Sequence, residues 1–101
     1  MANGTGSVTV YTASSDNIIG IKMQLRAQIG SPVTSLQMLE IMAGQDLAGN
    51  VSYTVYDRVN TNTSVTAVAI TVASTSNVMS ISVNSSSNTY YTYSVTEFAK
   101  T

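Results

Sequence analysis

Apolar and polar residues alternate with a period of two from Ile18 to Ile29. Ile19, Ile21, Met23, Leu25, Ala27 and Ile29 fall on one side, and Ile18, Gly20, Lys22, Gln24, Arg26 and Gln28 on the other. That period belongs to a strand with one face in a core and one in water. It puts Ile19 with the inward set, and the strand could reach about 40 Å unless a bulge or bend at Gly20 breaks it. Ser7 to Thr12 alternates in the same way, Val8 and Val10 against Thr9 and Tyr11, and Ala13 to Asn17 reads as a turn-rich link.

The pattern changes after Ile29. Gly30-Ser31-Pro32 breaks the strand, and Ser31 before Pro32 suits a helix start because proline fits the first helical position. Val33, Leu36, Leu39, Met42 and Ala43 then fall near a helical stripe that Gly44 would end. The spacing predicts one short helix near 31–43, since Leu, Gln, Met and Glu dominate it. The rival is a further strand through Leu36 to Ala43.

Strand patterning returns at Val51. From there to Val59, Val51, Tyr53, Val55 and Val59 alternate with Ser52, Thr54, Tyr56 and Arg58. Asn60 to Thr63 is a polar turn, and Ser64 to Ala73 is apolar on both sides, as expected of a covered central strand. Ser74 to Asn77 and Asn84 to Asn88 are further polar turns, bracketing strands over Val78–Val83 and Thr89–Ala99. Turns this short join antiparallel neighbours, so the second half of the chain reads as a four-stranded meander. The fold expected is mainly β: an antiparallel sandwich or small open barrel of about six strands. Residues 1–6 read as a flexible N-terminal arm and 7–101 as a single β-domain.

Composition narrows the chemistry. The chain has 101 residues, of which 29 are Ser or Thr, and only 9% are charged; the net charge is −1. Four scattered cations cannot supply the field that nucleic acid or an anionic membrane surface requires, so neither is an expected partner. No apolar stretch approaches the length of a membrane span, and Met1 to Ser7 has the pattern of no secretory signal. Histidine and cysteine are absent, which removes the commonest general base and the usual zinc and copper ligands. The five carboxylates lie on separate segments, and no serine sits in a nucleophile elbow. Neither catalysis, a cofactor nor a metal is expected. Low charge leaves little repulsion between copies and favours assembly.

Two groups of residues remain as candidates for contact. Lys22, Gln24 and Arg26 line the polar side of one strand. Tyr56, Tyr90, Tyr91 and Tyr93 carry large apolar rings with one hydrogen-bonding group each, a combination favoured at interfaces. Alternation puts Tyr91 and Tyr93 on one face and Tyr90 on the other, one face being core and the other interface.

A cysteine-free, Ser/Thr/Asn/Val-rich β-domain that begins Met-Ala-Asn-Gly-Thr-Gly resembles the small head-decoration, or capsid cement, proteins of bacteriophages. The resemblance implies a protein that is soluble before assembly, then binds the outer capsid surface of the virion and clamps adjacent major capsid subunits. A dimer or trimer would be the expected working unit. The alternatives are a self-assembling extracellular filament or pilus subunit, which needs a free strand edge, and a small carbohydrate- or protein-binding β-module.

Overall fold

The computed structural model describes residues 2–30 and 32–100. It is all β: β1 (Ala2–Ser14), β2 (Ile18–Ile29), β3 (Ser35–Gln45), β4 (Val51–Asn60), β5 (Ala69–Thr75) and β6 (Val78–Ala99). All pairings are antiparallel, in the order β1-β6-β2-β3-β4, with β5 also on β6. Met1 of the expected arm and Ser31, the expected helix cap, lie outside the described residues. Residues 2–6 belong to β1, where Ala2 to Gly4 pairs with Tyr91 to Thr89.

The expected helix near 31–43 is replaced by β3. Its alternation runs through Ser35, Gln37, Leu39, Ile41, Ala43 and Gln45, all buried, against a more exposed set that includes Met38 and Met42. Pairing with β2 over ten positions outweighs a helix preference worth only tenths of a kcal/mol per residue. Polar residues at inward positions conceal the period. Gln37 sits in the core because its amide completes the backbone of an irregular segment: Nε2 donates to Thr66 O (3.1 Å), and Oε1 accepts from Val68 N (2.9 Å). Gln45 Nε2 likewise donates to Ala13 O and Ile18 O, holding the link between β1 and β2.

The second half is not a meander. Residues 61–68 cross between β4 and β5 without strand structure, and the expected central strand at 64–73 is reduced to β5, which pairs with β6 alone. Ala69, Thr71 and Ala73 face away from the core and are exposed. The turn at 74–77 is a tight hairpin in which Ser76 and Asn77 both have positive φ, 52° and 64°. The expected turn at 84–88 is instead a bulge within one strand. Between Gly4↔Thr89 and Gly6↔Ser85, β6 advances four residues while β1 advances two. Hydroxyls within the bulge serve its backbone: Ser87 N donates to Ser85 Oγ, and Thr89 Oγ1 lies 2.8 Å from Ser87 O.

The bulge resolves a problem of length. Twenty-two residues at about 3.3 Å each would span about 70 Å, but the molecule's longest dimension is 44 Å. β6 therefore bends. Its first part, Val78–Asn84, lies between β1 and β5, and its last part, Thr89–Ala99, pairs with β2. Both parts contribute to one core: Met79, Ile81 and Val83 from the first, Tyr91 from the second, with Ile21, Met23, Leu25, Ile29, Leu39 and Ile41 from β2 and β3.

Candidate functional site

The four strands β4, β3, β2 and the end of β6 present their second face outward, and register lines its residues up in rows. From β4 to β6 these rows are Val59–Met38–Arg26–Thr92, Tyr56–Glu40–Gln24–Ser94, Thr54–Met42–Lys22–Thr96 and Ser52–Gly44–Gly20–Phe98. Sheet faces that meet water are ordinarily polar. Here Met38, Met42, Val59 and Phe98 are 47%, 50%, 56% and 51% exposed, so large apolar side chains stand among the Ser and Thr. The paired Gly20 and Gly44 leave a shallow depression beside Phe98 and Met42 of about 680 Å³. A second, of about 500 Å³, lies along Arg26, Met38, Val59 and Asp57.

Charge on this face is nearly balanced. Glu40 stands across from Gln24, accepts from its Nε2 at 3.2 Å and lies 4.0 Å from Lys22 Nζ. Arg26 has no ion pair among the described residues, and Asp57 borders its depression. The stripe expected from the sequence is present, but Glu40 offsets one of its two cations.

Five of the seven expected contact residues share this face: Lys22, Gln24, Arg26, Tyr56 and Tyr90, the last paired across from Gln28. Tyr91 does not. It is fully buried among the core residues, so it cannot meet a partner in this fold. Burial raises its phenol pKa, an effect that the nearby Thr89 and Ser85 hydroxyls partly oppose. Tyr93 also points to the inner side of β6, at the open margin of the core, where Tyr11 meets it edge-on with ring centroids 6.2 Å apart. The Tyr11 hydroxyl donates to Glu97, and burial together with that carboxylate pushes its pKa well above the ordinary range.

Met38, Met42, Val59 and Phe98 are the residues that sequence reasoning left off this face. Met42 falls in the expected helical stripe. Alternation groups Val59 with Val51, Tyr53 and Val55, but an extra residue in β4 between Tyr56 and Val59, with Asp57 at φ 54°, turns it to the other face. The same effect at Ile19 leaves it 38% exposed and lets Ile18 pack on the core in its place. The alternation of 35–45 puts both methionines on the outward side. Among the described residues no three carboxylates gather as a metal site would require; what the face offers is area.

No family model matches this sequence, and no curated protein matches it either. Among solved structures, the fold is similar to part of the tailspike protein of Acinetobacter baumannii phage AM24, with a TM-score of 0.59 over 98% of this chain. Sequence identity is 10%, so the likeness is one of fold, and the match spans 25% of the tailspike chain.

Proposed function

We propose that this is a virion structural protein, a capsid decoration protein that seats its outer sheet face on the major capsid protein and holds adjacent subunits together without catalysis. The observation that carries this reading is the open face itself: half-exposed Met38, Met42, Val59 and Phe98 set among Ser and Thr on a four-stranded face. Val59 stands beside Met38, and Met42 shares the Gly20–Gly44 depression with Phe98. Exposed apolar side chains grouped in this way suit an interaction site, and their polar surround supplies hydrogen bonds. Glu40 offsets Lys22 but Arg26 has no ion pair among the described residues, so with this face docked affinity falls between low and physiological salt and Arg26→Ala weakens binding. A protein that bridges two or three capsid subunits gains further from multivalency, since its second contact forms at high effective concentration. The likeness of fold to a phage tailspike supports the virion setting and favours a second reading, a component of a tail spike or fibre.

The test is co-sedimentation with phage particles that lack the protein. Wild type is expected to load onto heads and raise their resistance to heat. A Met38→Asp, Met42→Asp double variant should lose occupancy, while Thr75→Asp, on β5, should keep it. Loading onto tails would select the second reading, and heads equally robust with and without the protein would overturn the clamp.

A further inference from the structure

Among the described residues, one strand edge is open. β1 occupies the far side of β6 only as far as the pairing of Ala2 with Tyr91, while β2 continues on the near side to Ala99. Among the described residues nothing pairs with the far side of Tyr93–Ala99. Exposure agrees: Tyr93, Ser94, Thr96, Glu97, Phe98 and Ala99 are all exposed although the strand is paired with β2.

The other margins of the sheet are blunted. The outer edge of β4 is interrupted by the bulge at Asp57 and Arg58. β5 is only seven residues long, and Ile70 O already accepts from the Tyr53 hydroxyl at 3.3 Å. The free side of β1 is broken by irregularities at Gly4/Gly6, with Gly6 at φ 85°, and at Thr9/Tyr11. Proteins keep edges from pairing with such bulges, short strands, prolines and lysines. Tyr-Ser-Val-Thr-Glu-Phe-Ala at 93–99 contains no Pro, Gly, Lys or Arg, and its backbone has no positive φ.

We propose that this edge pairs antiparallel with the same edge of a second copy, making a twofold dimer with a continuous sheet. Antiparallel pairing is self-complementary under a twofold axis. With Val95 opposite the partner's Val95, Glu97 faces the partner's Tyr93, so the segment's one charge never meets its like. A net charge of −1 adds little repulsion between copies. The dimer places two outer sheet faces side by side, yet it does not depend on the virion reading and is tested without particles.

Sedimentation velocity over a dilution series and hydrogen exchange on the wild-type protein test it together. We expect a monomer–dimer equilibrium, with alternate amides within 93–99 gaining protection as concentration rises. Thr96→Lys, on the exposed face, brings two ammonium groups close across the axis and should weaken the dimer about tenfold; Thr54→Lys, on β4, should leave it unchanged. A monomer throughout, a dimer protected elsewhere, or a dimer indifferent to Thr96→Lys would overturn the proposal. If Thr96→Lys does not fold, the wild-type exchange pattern decides.

Discussion

β2 and β3 run side by side through ten paired positions, from Gly20↔Gly44 to Ile29↔Ser35, and both send every second side chain into the same core. Their sequences treat that task differently. β2 points Ile21, Met23, Leu25, Ala27 and Ile29 inward and mostly polar residues outward. β3 points Ser35, Gln37 and Gln45 inward along with Leu39, Ile41 and Ala43, and turns Met38 and Met42 to the outside. The inward amides are stable because each bonds backbone groups, Gln37 those of the irregular segment at Thr66 and Val68 and Gln45 the carbonyls of Ala13 and Ile18 at the ends of β1 and β2. An unpaired buried polar group is what costs free energy. The outward methionines have no such structural role and form the candidate contact face. An inverted pattern on one strand thus marks two jobs: fastening irregular chain on the inside and presenting apolar surface on the outside.

The largest effect expected from breaking this pair is at Leu25, which is 1% exposed at the centre of β2. Leu25→Ala should lower unfolding free energy by about 2–5 kcal/mol in urea denaturation. Next comes Gln37→Leu, which matches the apolar pattern of β2 but orphans Thr66 O and the buried Val68 N–H. A loss of about 1–3 kcal/mol is expected, with faster hydrogen exchange at Val68; a neutral or stabilised variant would show that the amide is dispensable.

A pH effect follows from Tyr11, whose folded pKa lies above its unfolded value, near 10. A raised pKa favours the protonated phenol in the folded state, so its contribution is full below pH ~10 and falls as pH climbs toward the folded pKa. Between neutral pH and pH ~10.5, wild type should lose more stability than Tyr11→Phe. Parallel curves for the two proteins would remove the contribution of the contact with Glu97. The smallest effects belong to the outer positions. Gln24→Ala on β2 and Met42→Gln on β3 should each change stability by less than about 0.5 kcal/mol. A loss at Met42 comparable with that at Leu25 would mean that β3 is not inverted.

Much of the framework was legible as alternation. β2 from Gly20 onward, the starts of β4 and β6 and the hairpin at Ser76-Asn77 follow from period and turn chemistry. That Lys22, Gln24 and Arg26 share one outward side of β2 was legible; that Tyr56, Tyr90, Met38, Met42, Val59 and Phe98 lie on the same sheet face was not. Met42 falls in the apolar stripe of a helix over 31–43 and Met38 lies off it, while Val59 lies beyond a bulge that leaves no sequence trace.

By itself, then, the sequence determined that the chain is strand-forming and low in charge, that it lacks histidine and cysteine, and which side of β2 is inward. These are local properties: a period of two follows from the geometry of a single extended backbone. Only the tertiary structure decided the rest. It made 35–45 a strand by supplying β2 as partner, joined 78–83 and 89–99 into one bent strand, and buried Tyr91 while leaving Tyr90 exposed. It also reset which residues face inward at Val10, Ile19 and Asp57, because one extra residue on a strand exchanges its two faces from that point on. Whether that extra residue is accommodated depends on a neighbouring strand distant in sequence, and no local period encodes it.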